Sequence, residues 1–456
     1  MALHDVTQEQ LENLARIIAS HEEERAKEEL SDLHPADLAE IYRELDEDDA
    51  KYFIDLLDNE VAADLLMELD EDERKEVLED MDAEEIAKQF IENLDTDEAV
   101  DLIQELDEED RDEVLTHLDD VEQAGDIIDL LKYDEDTAGG LMGTEMVVVN
   151  ENWSMPECIR EMRLQAEDMD EIYNVFVVDN DEKLRGILPL KTLITHPSVS
   201  KIKRVMEEDP VSVKTDTPID EIALDFEKYD LIAMPVVDSI GRLVGRITVD
   251  DVMDQLREAQ ERNYQLASGL SSDVNADDSI LSQTKARIPW LLIGICSGIL
   301  ASLILGVFEN QLAVVTALAL FIPIIGGTGG NVGVQASAIV VQSLANGTLD
   351  VKEFSRQLGK EVLVGLLNAT IIAAVILGYN LIMLPGQLAV TLSVACSLFV
   401  VVMFATILGT VVPLTLEKLH INPALATGPF IQISNDIFGL IIYVMIAKWF
   451  LSIFGL

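Results

Sequence analysis

The stretch GPFIQISNDIFGLIIY, residues 428–443, places one carboxylate, that of Asp436, in the middle of an otherwise apolar run. The run extends over residues 424–449, which is longer than the roughly 20 residues that a membrane-spanning helix needs. A charged side chain at that depth is costly unless it is paired or faces water, so Asp436 is a candidate functional residue. The alternative is a protonated carboxyl group that is hydrogen-bonded between helices and has a purely structural role.

Four more apolar stretches precede this one, at residues 289–308, 312–343, 361–384 and 388–416, so the sequence predicts five membrane spans. The charged residues are concentrated in the part of the chain before these apolar stretches. Residues 1–288 contain 80 acidic and 26 basic residues, whereas residues 289–456 contain 6 and 5. The acidic front excludes nucleic acid as a partner and favours cations, while the apolar part predicts contact with membrane lipid.

Basic residues in the loops predict the orientation of the chain in the inner membrane. Lys and Arg occur before the first span, between the second and third, and between the fourth and fifth, at Lys285, Arg287, Lys352, Arg356, Lys360 and Lys418. The alternate loops lack them. Because such residues favour the cytoplasmic side, we expect a cytoplasmic N-terminus and an outside C-terminus, although Lys448 mildly opposes this.

The acidic front begins with an internal repeat. A Leu-Asp or Met-Asp pair recurs at residues 45, 57, 69, 81, 94, 106 and 118, with spacings of 12, 12, 12, 13, 12 and 12. Each Asp suits a helix N-cap and is followed by apolar residues at helical spacing, so short helices are predicted to stack as a superhelix. The carboxylates would then either keep the repeat soluble or form a surface that responds to cations.

After the joint YDEDTAGGLM, residues 133–142, short β-branched strands alternate with amphipathic helices in two successive copies. The pair resembles a tandem CBS module, an intracellular regulatory domain. In such modules a Gly-x-x-Thr-x-x-Asp run can hold an adenosine ribose, and Gly245, Thr248 and Asp251 match that run. This resemblance implies an adenosine nucleotide such as ATP as a ligand at Thr248 and Asp251.

The second predicted span contains FIPIIGGTGGNVGVQASA, residues 321–338, in which five glycines leave Asn331 and Gln335 as neutral polar groups. Small residues let helices approach closely, and a polar stripe beside a lone carboxylate suits a cation path. For the glycines, helix packing alone is an equally good explanation. The polar Asn331 is harder to explain by packing.

These features occur in one order: an acidic repeat, tandem CBS units, five spans, a Gly-Gly-Asn-x-Gly-x-Gln run, and Asn-Pro-Ala-x-Ala-x-Gly-Pro leading to an Asp. Together they resemble the MgtE family of magnesium channels and transporters over essentially the whole chain. The resemblance implies a homodimer in which two copies of the fifth helix line a pore. Asp436 would select hydrated Mg²⁺, and the backbone carbonyl of Gln432 would face the same ion.

The resemblance also implies regulation, with Mg²⁺ bridging cytoplasmic carboxylates and closing the pore. Asp220, Asp230, Asp251 and Asp254 match the regulatory ligands of the family, although each carboxylate can equally be a helix cap or a solvated group. Several positions depart from the family pattern. Acidic residues of the connecting helix and of the last cytoplasmic loop are replaced by Ala259, Arg262, Asn263 and Asn422, and a Thr pair before the pore Asp is replaced by Gln432 and Ile433.

The fold class expected from these patterns is a multidomain membrane protein. Its predicted parts are an all-α acidic superhelical N-domain (1–136), two α/β CBS domains (137–203 and 204–255), a connecting helix with its linker (256–284) and a five-helix transmembrane domain (285–456). No enzyme is expected, since no Ser/His/Asp or Cys/His arrangement and no Walker-type phosphate-binding loop occurs, and the six His are scattered. Two rivals to a magnesium channel remain open: an ion-coupled carrier of divalent cations, and a non-conducting membrane sensor based on the CBS units.

Overall fold

The computed structural model describes residues 8–30, 33–79, 81–166, 169, 172–197, 199–272, 274, 279–308, 316–345 and 354–455. The chain divides after Leu256 into two compact units. Lys352 and the start of the second predicted span, at 312–315, fall outside the described residues.

The acidic repeat folds into short helices, as predicted. They are α1 (Gln8–Ala19), α2 (Glu23–Leu30), α3 (Pro35–Arg43), α4 (Glu47–Leu56), α5 (Asn59–Met67), α6 (Glu71–Leu78), α7 (Ala83–Gln89), α8 (Thr96–Glu105), α9 (Glu108–His117) and α10 (Val121–Leu130). The Asp of the repeated pair is the N-cap of α4 to α9 in succession. The last unit differs, because Asp120 rather than Asp119 caps α10.

The caps show why this sequence breaks into helices every dozen residues. At the start of α7, the Asp82 carboxylate accepts a hydrogen bond from the Glu85 amide at 2.9 Å, and the Glu85 carboxylate accepts one from the Asp82 amide at 3.2 Å. Such a reciprocal cap satisfies two amides that the helix itself leaves unpaired. Between the caps, apolar residues such as Phe53 and Phe90 are fully buried in a continuous core.

Two α/β units follow in the first compact unit, each built on its own small sheet. The first contains β1 (Val147–Asn150), β2 (Val175–Val178), β3 (Leu184–Leu188) and β4 (Glu207–Glu208) with α12 (Met155–Gln165) and α13 (Leu190–Thr195), and the second contains β5 (Val213–Lys214), β6 (Ala233–Val237) and β7 (Leu243–Thr248) with α14 (Ile219–Tyr229) and α15 (Val249–Ser268). In each sheet the first pair of strands is parallel and the next pair is antiparallel. This repeated topology confirms the α/β part of the predicted fold.

The joint between the helical repeat and the sheets contains α11 (Ala138–Leu141), followed by a segment that packs on β7. Gly143 and Arg246 exchange two backbone hydrogen bonds of 2.9 Å each. Gly245 is required at this contact, because a Cβ atom there would lie 2.8 Å from the Met142 sulfur and 2.9 Å from the Gly143 carbonyl oxygen. The segment after the repeat is therefore fixed on the second α/β unit.

The second compact unit contains, within the described residues, five helices long and apolar enough to cross a membrane. We number them α16 (Ile280–Val307), α17 (Ile322–Ala345), α18 (Phe354–Met383), α19 (Leu388–Lys418) and α20 (Gly428–Ile453). Residues Thr316–Phe321 form a 3₁₀ turn that leads into α17. The first and third helices begin before the predicted apolar stretches, at Ile280 and Phe354, because their polar first turns continue the same helix.

Helices α17, α19 and α20 form the core of this unit, and α19 is its most buried helix. The phenol of Tyr443 on α20 donates a hydrogen bond of 2.7 Å to the Leu318 carbonyl, and the Ser337 hydroxyl on α17 donates one of 2.9 Å to the Ala426 carbonyl. Both side chains are buried. The first bond joins α20 to the turn that leads into α17, and the second joins α17 to the turn that leads into α20. Helices α17 and α20 contain the candidate ion-path residues.

Candidate ion path and metal-binding sites

Asp436 lies on the face of α20 that covers the glycines of α17. A Cβ atom added to Gly326 would be 3.2 Å from the Asp436 Oδ1 atom, and one added to Gly330 would be 4.0 Å from the same oxygen. The side chain of Gln432 covers the next position, with its Cγ atom 3.3 Å from the place of a Gly330 Cβ. The glycines thus leave room for a carboxylate and an amide between two apolar helices.

The Asp436 carboxylate is half-buried. Among the described residues, no side chain gives it an ion pair or a hydrogen bond. The structural alternative, a carboxyl group hydrogen-bonded between helices, therefore has no partner in the described part of the chain. A carboxylate in an apolar helix without a protein partner is stable only if water or a cation reaches it.

Three neutral polar side chains lie on the same two helices as Asp436 and these glycines. Asn331 and Gln335 are one turn apart on α17 and exposed in the single chain, as is Gln432 on α20. In a membrane, exposed amides of this kind face water or protein rather than lipid. The structure therefore brings Asp436 and Gln432 onto the glycine face of α17. The role of Asp436, Gln432 and Asn331 in an ion path stays a prediction.

Asn435, which was not among the residues selected from the sequence, is the buried neighbour of Asp436. Its side chain is 1% exposed, and neither its amide nitrogen nor its oxygen has a hydrogen-bond partner among the residues that the structure describes. It fills the space over Gly333 so closely that a Cβ atom there would overlap the Asn435 amide nitrogen. Its position beside Asp436 was the available signal, since a second polar residue in an apolar helix is unusual.

The end of α15 packs on the start of α20. Gly269 has a φ of 86°, and a Cβ atom there would be 2.5 Å from the Cγ atom of Pro429. The Asn422 amide donates a hydrogen bond of 2.9 Å to the side-chain oxygen of Asn263. Two positions that depart from the family pattern thus bond directly to each other, as neutral amides that have no need of a bridging cation.

A group of carboxylates lies where α8 meets the segment before β1. One oxygen each of Asp95, Asp97 and Glu145 falls within 4.8 Å of the others, which makes this the candidate metal site found among the described residues. The amide of Thr96 donates a 3.0 Å hydrogen bond to Glu145, and the Thr96 hydroxyl lies 3.1 Å from that of Thr144. Carboxylate oxygens are the ligands that Mg²⁺ prefers, so the donor set fits a hard divalent cation.

Proximity and burial change the acidity of this group. Burial raises the pKa of the Asp97 carboxyl well above its usual value, and the charges of Asp251, Glu145 and Asp95 raise it further. Burial also raises the pKa of Glu98, on the same turn of α8, to about 7, with smaller contributions from Asp95 and other acidic neighbours. A bound cation would oppose these shifts, because it favours the ionised form of each carboxyl group.

None of the four regulatory residues expected from the resemblance is a member of this group of three carboxylates. Asp251 lies beside the carboxylate group, but its Oδ2 atom already accepts hydrogen bonds from the Thr248 amide at 2.8 Å and hydroxyl at 2.6 Å. Asp220, Asp230 and Asp254 are exposed at the ends of α14 and along α15. Their role as magnesium ligands stays a prediction.

Thr248 and Asp251, the residues expected to bind a nucleotide, do not line the nearby cavity. Thr248 is 2% exposed. A small cavity of about 10 Å³ lies between the two sheets and is lined by residues that include Glu145, Tyr173, Phe176 and Arg246. Neither Thr248 nor Asp251 is among its lining residues, and their role in holding a nucleotide stays a prediction.

Asp95, Asp97 and Glu145 were also missed at the level of sequence. One signal for Asp95 was present, because the single spacing of 13 in the repeat falls immediately before Leu94 and Asp95. The extra residue is accommodated by a 3₁₀ turn, Ile91–Asn93, between α7 and α8. A break in a regular repeat can mark a site, as it does here for the carboxylate group.

Comparison with known proteins agrees with this architecture. Family models match in chain order: the MgtE intracellular N domain at 33–136, CBS domains at 138–198 and 202–258, and the MgtE divalent cation transporter domain at 322–446. The magnesium transporter MgtE of Thermus thermophilus is 37% identical over 328 residues, covering 70% of this chain and 71% of that protein. The chain belongs to the MgtE family.

Other MgtE proteins show the same likeness. The magnesium transporter MgtE of Bacillus subtilis is 30% identical over 323 residues, 70% of each chain. Among solved structures, the cytosolic domain of the Mg²⁺ channel MgtE in complex with ATP is 33% identical, with a TM-score of 0.51, and covers 54% of this chain and 99% of its own. The soluble part of a magnesium transporter gives the same TM-score at 30% identity. The predicted fold class and family are thereby confirmed.

Proposed function

We propose that this MgtE-family chain is a multi-pass membrane protein that imports Mg²⁺ through a path at Asp436. The observation that carries the proposal is the Asp436 carboxylate, half-buried over the glycine face of α17 and without a protein partner among the described residues. The names of its relatives support the ion, because they are magnesium transporters and a magnesium channel.

The chemistry of Mg²⁺ suits this position. The ion is small, prefers octahedral oxygen coordination and loses its water reluctantly, so it is best held through waters, carboxylates and carbonyl oxygens. Asp436 supplies the charge, the backbone carbonyl of Gln432 one turn earlier supplies a second oxygen, and the amides of Gln432 and Asn331 can bond to water around the ion. Close helix approach over the glycines keeps these groups together.

The protein acts as a homodimer in this proposal. Two Asp436 carboxylates at a two-fold axis carry a combined charge that matches one divalent ion. The amides exposed on α17 and α20 of the single chain would then face the water-filled path or the second copy. In this proposal the N-terminus lies in the cytoplasm and the C-terminus lies outside the inner membrane, which the basic residues of the loops support.

Regulation by cytosolic Mg²⁺ is the second part of the proposal. Binding at carboxylates such as Asp95, Asp97 and Glu145 would hold α8 on the CBS units and favour the closed pore. Asp220, Asp230, Asp251 and Asp254 would contribute further weak sites, since several are needed to shift a gate firmly. The CBS units would bind an adenine nucleotide such as ATP, as in the ATP complex of the related channel.

A magnesium uptake assay in transport-deficient cells tests the pore assignment. We expect Asp436→Ala to abolish uptake, because the ion loses its counter-charge at the point of deepest desolvation. Glu417→Gln is the matched control, since it removes a carboxylate at the end of α19 in the same unit and should leave uptake unchanged. Uptake that survives Asp436→Ala at the wild-type rate would refute the pore and favour the sensor.

The same assay separates the remaining candidate, an ion-coupled carrier. A carrier in which Asp436 exchanges protons for the metal predicts that uptake depends on the pH gradient. A channel predicts uptake that follows the magnesium gradient and membrane potential alone. Collapsing the pH gradient at constant potential should therefore leave the initial uptake rate unchanged.

A further inference from the structure

Arg246 reaches across the joint between the helical repeat and the CBS units. Its Nη2 atom donates a 3.0 Å hydrogen bond to Asp95, the N-cap of α8, which lies 151 residues earlier in the chain. Its Nε atom donates to the carbonyl oxygen of Glu145. Its guanidinium carbon also lies 6.0 Å from the centre of the Tyr173 ring.

The backbone of Arg246 is fixed as firmly as its side chain. The residue pairs with Pro235 inside the β6–β7 ladder, and it exchanges two backbone hydrogen bonds with Gly143. The side chain is 12% exposed, whereas that of Asp95 is 47% exposed. A rigid strand therefore presents a largely desolvated cation to an acidic helix cap, and such a charge-assisted hydrogen bond is about twice as strong as one between neutral groups.

The charge of Arg246 lies beside a cluster of acidic side chains. Asp95, Asp97 and Glu145 converge there, and Asp251 adds its charge to the same group. Like charges at this separation repel. The repulsion destabilises the contact between α8 and the CBS units unless a positive charge is present. Arg246 supplies this positive charge permanently, because its side chain is part of the protein and does not dissociate as a bound ion does.

We propose that Arg246 is a resident counter-cation that holds α8 on the CBS units without Mg²⁺, so that the metal strengthens a contact that already exists. This deepens the regulatory part of the proposed function and rests on it only for the role of the metal. The tether has a defined effect: the joint stays closed at low Mg²⁺, and its response to added Mg²⁺ is smaller than that of a joint built from carboxylates alone.

Hydrogen exchange of the full-length protein in lipid nanodiscs tests the tether. The reporter is the segment 94–100 at the start of α8, because the first amides of a helix have no partner within it and the Thr96 amide instead bonds to Glu145. In EDTA, Arg246→Gln should accelerate exchange of this segment by about tenfold. With saturating Mg²⁺ the exchange rate should return to that of the wild type.

Arg242→Gln is the matched control. Arg242 lies four residues earlier in the same hairpin and pairs with Asp238 inside the second CBS unit, so its loss should leave segment 94–100 unchanged. Arg246→Lys keeps the charge but cannot bond to Asp95 and the Glu145 carbonyl as a planar fork, and it should give an intermediate rate. The tether is refuted if Arg246→Gln exchanges no faster than Arg242→Gln in EDTA.

Asp95→Asn examines the same bond from its other end. Asn is as good an N-cap as Asp, so α8 should keep its start while the ion pair is lost. Asp95→Asn should accelerate exchange in EDTA as Arg246→Gln does, and the double variant should add little to either single change. Fully additive effects of the two substitutions would contradict the proposal. The comparison of single and double variants also applies if Arg246→Gln disturbs β7, because Asp95→Asn leaves that strand unchanged.

Failure of magnesium regulation would give a different exchange result from failure of the tether. If Mg²⁺ slowed exchange of segment 94–100 in neither the wild type nor Arg246→Gln, magnesium regulation at this joint would be wrong. The tether would still stand on the EDTA comparison alone. The two claims are therefore judged by separate measurements on the same samples.

Discussion

Gly326, Gly330 and Gly333 recur on one face of α17, and each faces a polar side chain of α20. The first two give room to Asp436 and Gln432, and the third gives room to Asn435. In a membrane, close helix approach over small residues replaces the hydrophobic effect as the source of helix association. The same glycines therefore stabilise the unit and shape the path.

Gly333→Ala should destabilise the membrane unit by about 1–3 kcal/mol, the usual cost of overpacking. The added methyl group would overlap the Asn435 amide nitrogen and lie 2.7 Å from the Ile431 Cγ2 atom, and neither neighbour is free to leave a buried helix contact. Thermal unfolding of the protein in detergent, followed by loss of the folded peak in size-exclusion chromatography, measures the effect.

Gly327→Ala is the control for this change. Gly327 is on the same helix, but a Cβ atom there has nothing within 4 Å. Because Ala is the better helix former, this variant should be as stable as the wild type or slightly more stable. Equal destabilisation by both substitutions would mean that helix α17 does not pack on α20 as described.

The start of helix α8 (Thr96–Glu105) contacts Glu145, before β1, and Arg246, in β7. Its first turn holds Asp97 and Glu98, which are both acidic groups whose pKa is raised by burial. The usual pKa of Glu98 is 4.5, and in the folded chain it is about 7. Between these values the folded state binds more protons than the unfolded state, so stability falls as pH rises through this window.

The expected result is that α8 is held more firmly at pH 5 than at pH 8 in EDTA. The full shift of Glu98 corresponds to about 3 kcal/mol, with each pKa unit contributing about 1.4 kcal/mol. Hydrogen exchange of α8, corrected for the intrinsic effect of pH, measures it. Glu98→Gln should reduce the pH dependence, and Glu113→Gln, at an exposed position of α9, should not. An unaltered pH dependence in Glu98→Gln would contradict the role of this carboxyl group.

The elements of the repeat could be predicted because their signals are local. The Leu-Asp spacing indicated the helix starts, and the N-caps at Asp46, Asp58, Asp70 and Asp82 confirm it. The carboxylate group could not be predicted in the same way. Glu145 meets Thr96 across 49 residues, and Arg246 meets Asp95 across 151, so no spacing in the sequence contains these contacts.

At the scale of the whole molecule, the sequence divides into an acidic part suited to water and an apolar part suited to a membrane. Nearly all of the net charge of -55 lies before the first membrane helix, and the five apolar helices follow it. Because hydrophobic length alone predicts a span, this architecture could be predicted well. The homodimer proposed to bring two Asp436 carboxylates together rests on the resemblance alone, since a two-fold axis leaves no pattern in a single chain.

The proposed function depends above all on Mg²⁺ crossing the membrane past the Asp436 carboxylates. Current through purified protein in a planar lipid bilayer, with Mg²⁺ as the permeant cation, examines this directly. We expect a magnesium current in the wild type and its loss in Asp436→Asn, which keeps the size of the side chain and removes only the charge. A magnesium current of wild-type size in Asp436→Asn would show that the ion does not pass this carboxylate.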